Sequence, residues 1–235
     1  MSDGALEVLI VSGMFLFMAT IFGLVGWGWW TSRKEGRNRE QLKELIHFAT
    51  QRGWSYADFA KKKRGRYFTG KVAERVRVYN ILVYDFITGT FRGRSFRCFE
   101  ERSRSVSSDG PDSTLFQVTF EVDLPMAVPL TTIKRRRPLD KLGSLFFSAE
   151  KVVELGDPAF DQAFRVISHD EGFARHVLTN GLAQFLVADP RAPHEPLLFK
   201  GKALSTTYRA RLRVEQVDAK LNYLCDVLDH LPTQG

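Results

Sequence analysis

Residues 115–124 read LFQVTFEVDL: Phe116, Val118, Phe120, Val122 and Leu124 alternate with Gln117, Thr119, Glu121 and Asp123. Successive side chains of a strand leave opposite faces, so a period of two predicts a strand buried on one face and wet on the other. Antiparallel sheets tolerate that asymmetry, whereas parallel sheets are covered on both sides. Pro125 and Pro129 are expected to end this strand, because proline has no amide proton for a ladder. Thr131–Arg136 then offers a further short edge strand.

Working upstream, residues 72–86 are dense in Val, Ile and Tyr and predict another strand. Thr88-Gly-Thr90 and Gly93 supply turn chemistry before SFRCFEER resumes a strand pattern. Residues 103–113, SRSVSSDGPDS, have the composition of an exposed loop. Residues 39–52 carry Leu42, Leu45, Ile46 and Ala49 at helical spacing and predict a helix ending at Gly53, with Trp54 and Tyr56 covering its apolar stripe.

Downstream, PAFDQAF reads as a short helix and FRVIS as a strand, with Asp170 capping a helix that buries Phe173, Ala174, Val177 and Leu178. Asn180-Gly181 interrupts that helix before a second piece with Leu182, Phe185 and Leu186. LLFKG and ALSTTYRARL read as a strand pair. The last helix places Val214, Val217, Leu221, Leu224 and Leu228 at steps of three and four, a seam that docks on its own sheet or joins two copies in a homodimer.

The N-terminus differs in kind. Val8 to Trp30 contains no ionisable side chain. At 1.5 Å rise per residue such a run is long enough to cross a hydrocarbon core of roughly 30 Å. Trp27, Trp29 and Trp30 close it, as indoles do at the headgroup layer. Asp3 and Glu7 replace the basic leader of a cleaved signal peptide, which predicts an uncleaved anchor. Residues 31–70 hold eleven Lys or Arg against four Asp or Glu, which predicts that the flanking segment stays in the cytoplasm and that the tail of residues 1–7 lies outside. The expected plan is therefore α+β: a single transmembrane helix at 8–30, a basic juxtamembrane segment at 31–70, and a cytoplasmic domain at 71–232 whose mainly antiparallel sheet packs with helices. The expected location is the plasma membrane. Cys98 and Cys225 lack any paired spacing and fit two buried thiols.

The phrase GDPAFDQAFRVISHDEGFARHVLTNGLAQFL resembles one found in a family of membrane-anchored bacterial proteins with no assigned activity. Phe160, Asp161, Phe164, Val166, Asp170, Ala174, Leu178 and Thr179 carry the resemblance, and Asn180 stands where that family often has proline. The resemblance implies a location and a plan, and no reaction.

Chemistry is sparse. His169-Asp170 with His176 could pair a general base with a carboxylate, or share a metal, and a membrane-tethered hydrolase is the alternative those residues support. Against this, Asp170 has a simpler use as a helix cap. No phosphate loop, nucleophile elbow or dinucleotide fingerprint occurs, so no catalytic residue, metal or cofactor is predicted. The whole chain carries 34 Lys and Arg against 27 Asp and Glu, a net charge of +7. Its basic runs are Lys61, Lys62, Lys63, Arg64 and Arg66, and Lys134, Arg135, Arg136 and Arg137. They predict contact with a partner or with anionic lipid headgroups of the bilayer. Nucleic acid is the less favoured partner because no reading motif accompanies them. A non-catalytic binding or scaffold module, with a protein partner still to be identified, is the function the sequence favours.

Overall fold

The computed structural model describes residues 40–67, 77–105, 113–136, 151–179 and 181–232. The chain divides into two compact units, Met1–Ile46 and His47–Gly235. Of the first, residues 40–46 are described and are helical; they begin α1, which spans residues 40–51. The second unit carries the rest of the fold.

The expected architecture requires one correction. No helix among the described residues is long and apolar enough to cross a membrane. Residues 8–30, with Trp27, Trp29 and Trp30, lie outside the described residues, as does the tail before them. The fold class of the described residues is thus α+β, a mostly antiparallel sheet with helices, and the transmembrane helix of the expected plan is not among them.

The elements after α1 are β1 (Ser55–Tyr67), β2 (Arg77–Phe91), β3 (Arg94–Ser105), β4 (Ser113–Arg135), β5 (Val152–Val153), α2 (Pro158–Ala163), β6 (Phe164–Ser168), α3 (Glu171–Thr179), α4 (Leu182–Ala188), β7 (Leu197–Tyr208) and α5 (Val214–Asp229). They form a seven-stranded sheet in the order β1-β2-β3-β4-β6-β5, with β7 paired to β4. All the pairings are antiparallel.

β4 is the spine. Its first half pairs with β3 from Ser113↔Ser105 to Val122↔Phe96, and its last residues pair with β6 from Thr131↔Ser168 to Arg135↔Phe164. On the opposite edge β7 runs beside β4 from Val118↔Tyr208 to Ile133↔Leu197. On the apolar face Val118, Phe120, Val122 and Leu124 are buried and Phe116 half-buried, but the other face is not wet throughout, since Thr119 is buried too. The prolines do not end the strand. Pro125 sits in a bulge where four residues of β4, Leu124–Ala127, stand against one of β7, between the pairs Asp123↔Ala203 and Val128↔Gly201, and Pro129 sits in a second register shift between Val128↔Gly201 and Thr131↔Phe199. A bulge absorbs residues that cannot join the ladder, and bends the strand. β7 bends with it: Gly201 takes φ +58°, a left-handed conformation suited to glycine, and LLFKG and ALSTTY become one strand rather than two.

α5 closes one face. Val217, Leu221 and Leu224 are wholly buried within the single chain, and Val214 and Leu228 half-buried. That stripe is therefore engaged with its own fold. Each such aliphatic side chain contributes roughly 1.5–3 kcal/mol on burial. Cys98 and Cys225 are buried free thiols, and burial drives both above the usual thiol range. At the other end, Trp54 packs edge-on against Phe48, Phe91 and Phe96 with centroids 5.7, 6.3 and 4.7 Å away. Gly89 admits the indole: a Cβ there would lie 2.3 Å from Trp54 Cδ1.

Candidate binding cleft

Between Val122, where pairing with β3 stops, and Thr131, where pairing with β6 begins, no described strand pairs with β4 on that edge. The bulge falls in this interval, so the chain curves away and leaves a cavity of about 1080 Å³. One wall is the bulge itself, Asp123 to Pro129. A second is α3, which contributes Phe173, His176 and Val177, residues three and four apart and hence on one helical face. The β2–β3 turn supplies Gly93, Arg94 and Ser95, and the end of α5 supplies Leu228, Asp229, Leu231 and Pro232. Leu124, Val177 and Phe199 are 7, 5 and 1% exposed and make an apolar floor; Met126 stands 45% exposed at the opening.

The walls are fastened by charge. The two-residue turn Arg92-Gly93 has positive φ at both positions, 49° and 76°, as a tight hairpin with right-handed twist requires. Arg92 donates to Asp226 Oδ1 and Asp229 Oδ2, both at 2.6 Å. Arg94 donates to Asp229 Oδ1 at 2.8 Å, and Arg191 reaches Asp189 Oδ2 at 2.6 Å and Asp226 Oδ2 at 2.8 Å. The hydrogen bond from Arg191 holds the Asp189 carboxyl below the usual range, against a smaller opposing effect of burial. For Asp226, burial pushes upward, but the hydrogen bonds from Arg92 and Arg191 outweigh it and the net direction is down.

α3 is positioned by Asp170, whose Oδ1 accepts from Phe173 N at 3.0 Å while its carbonyl accepts from Ala174 N. Ser168 Oγ donates to the Asp170 carbonyl at 2.7 Å and shares a 2.7 Å hydrogen bond with Thr131 on β4. The cap is thereby tied to the sheet.

The histidine and carboxylate residues singled out above are partly brought together. Asp170 and His176 both line the cleft, while His169 is exposed and bonds through its amide to the Leu130 carbonyl at 3.0 Å. Among the described residues no group of three or more His, Cys, Asp or Glu could hold a metal. Lys61, Lys62, Lys63, Arg64 and Arg66 fall on β1 rather than in a loop, paired in register with Leu82, Ile81 and their neighbours on β2. Lys134 and Arg135 end β4; Arg136 follows, with its amide on the Ala163 carbonyl at 2.8 Å and its guanidinium 3.6 Å from Glu154. Arg137 lies outside the described residues. The floor and bulge were missed by reading the sequence alone. The signal was present in Pro125-Met-Ala-Val-Pro129, two prolines four apart inside an otherwise continuous strand pattern.

No protein-family model matches the chain, and no curated protein matches it in sequence. Among solved structures, the crystal structure of the mycobacterial trehalose monomycolate transport factor A, TtfA, is similar over 82% of this chain and 97% of its own. The sequence identity is 14% and the TM-score 0.49. A likeness of that degree carries no function from one protein to the other.

Proposed function

We propose that the chain is a non-catalytic binding module that takes the apolar part of a ligand into the cleft between β3 and β6. The observation that carries this reading is the cavity of about 1080 Å³ with a floor of Leu124, Val177 and Phe199 and a polar rim. Small-molecule sites are concave, mostly apolar and furnished with a few oriented polar groups. A hydrolytic reading through His169, Asp170 and His176 has less support, because the Asp170 carboxylate is engaged as a cap.

The test uses the neutral fluorophore N-phenyl-1-naphthylamine with the full-length chain. Wild type should enhance its emission, and Ala127→Trp, which fills the opening, and Met126→Asp, which charges it, should each lower the affinity several-fold. Both positions are exposed, so melting temperatures should stay close to that of wild type. Variants that bind as wild type does would end the reading.

A second surface is favoured by one placement. β1 is the terminal strand of the sheet, and Lys61–Arg66 lie along it. Charged edge strands resist pairing with other chains, and five cations in six residues also suit an anionic surface such as lipid headgroups. Vesicles of phosphatidylglycerol should retain the full chain at low salt and release it at high salt. Alanine at the five positions should abolish retention, and equal retention on phosphatidylcholine would refute the surface.

A further inference from the structure

Resting on the cleft reading, we infer that the cleft selects an uncharged amphiphile, and that Asp229 sets this selectivity by neutralising Arg94. Each carboxylate and guanidinium of the lining already has a partner. Asp229 accepts from Arg94 at 2.8 Å and from Arg92 at 2.6 Å, and Arg92 is held in turn by Asp226 at 2.6 Å. Asp170 turns Oδ1 to the Phe173 amide, 3.0 Å away, at the positive end of α3. Asp123 lies 3.6 Å from the guanidinium of Arg97, whose Nε donates to Glu121. An ionic head entering here gives up water without gaining a partner of opposite sign, which costs free energy. An uncharged head escapes that cost and can use the exposed Ser95 hydroxyl, while its alkyl chain lies on Phe199, Val177 and Leu124. Arg94 is the only Lys or Arg among the described lining residues, so the neutrality of the cleft toward anions rests on its bond to Asp229. Asp229→Asn would leave Arg92 its bond to Asp226 and turn an unneutralised Arg94 toward the cleft.

Decanol, decanoate and decylammonium share one alkyl chain and differ in head charge at neutral pH. Each is titrated, below its micellar concentration, against N-phenyl-1-naphthylamine bound to the full-length protein. Decanol should bind wild type at least about fivefold more tightly than either ion. In Asp229→Asn the preference for decanol over decanoate should shrink at least about threefold, and 1 M salt should restore much of it. The preference over decylammonium should not shrink. Either ion binding wild type as tightly as decanol, or no displacement by decanol, would overturn the uncharged ligand. A preference over decanoate that is the same in the variant would overturn the role of Asp229. So would preferences that shrink alike for both ions, because the variant would then have loosened the cleft rather than uncovered a charge. Fluorophore binding that Met126→Asp leaves untouched would instead sink the cleft reading itself.

Discussion

Arg94 and Asp229 meet at 2.8 Å, joining the first residue of β3 to the last residue of α5 at the rim of the cleft. Asp229 also receives Arg92, so one carboxylate holds both ends of the turn. These side chains are 33–40% exposed, and solvent screens them. Asp229→Asn is therefore expected to lower stability by only about 0.5–1 kcal/mol in urea denaturation, and 1 M salt should erase most of the difference. A loss several times larger would mean that the turn and helix are coupled by more than charge.

Asp189 and Asp226 bear on acid stability. Both have folded-state pKa values below their unfolded ones, so their contribution is present above the unfolded value, about 4, and is lost as pH falls through the folded values. Unfolding followed by fluorescence should show stability declining below pH about 4. Arg191→Met removes a partner of both carboxylates, and should make that decline shallower. An identical slope in the variant would contradict the assignment.

Lys220 donates to Glu195 beneath α5, and Thr206 Oγ1 donates to the other carboxylate oxygen at 3.3 Å. The glutamate side chain is 8% exposed. Lys220→Met leaves that charge buried without its ion-pair partner and should cost about 3 kcal/mol. Adding Glu195→Gln should restore most of the loss, because the double change removes both charges. Thermal melts of the wild type, the two single variants and the double variant test this directly; an additive outcome would refute the coupling.

Gly89 has no room for a side chain, since a Cβ would press on the Trp54 indole from 2.3 Å. Gly89→Ala should destabilise by about 1–3 kcal/mol, as overpacking does. Trp54→Leu in the same chain should recover part of it. If Gly89→Ala melts like wild type, the indole must have another place to go.

The regular parts of this fold are legible in sequence because their periods are long enough to read. The buried alternation at Val118, Phe120 and Val122, the stripe Val217, Leu221, Leu224, and the Asp170 cap all follow from local rules. What escapes is non-local. That β4 serves three partners depends on residues as far away as Thr207, whose hydroxyl meets Thr119 at 3.1 Å. The KKKRGR run carries no apolar alternation to mark a strand, and its place on β1 is set by pairing with β2. The cleft arises from mismatched lengths, since β3 and β6 stop short of one another along β4. No window of consecutive residues encodes that gap, although the two prolines mark where it lies.

The shared spine has a consequence for biosynthesis. The hairpins from β1 to β4 join neighbours in the chain, whereas the far edge of β4 stays bare until Leu197–Tyr208 has left the ribosome. α5 follows later still and packs on β4 and β7. Contacts this distant form slowly, and a nascent chain emerges at about 5–20 residues per second. The unfinished sheet therefore waits with an open strand edge, so shortening this protein from its C-terminus favours clumping over a smaller folded product.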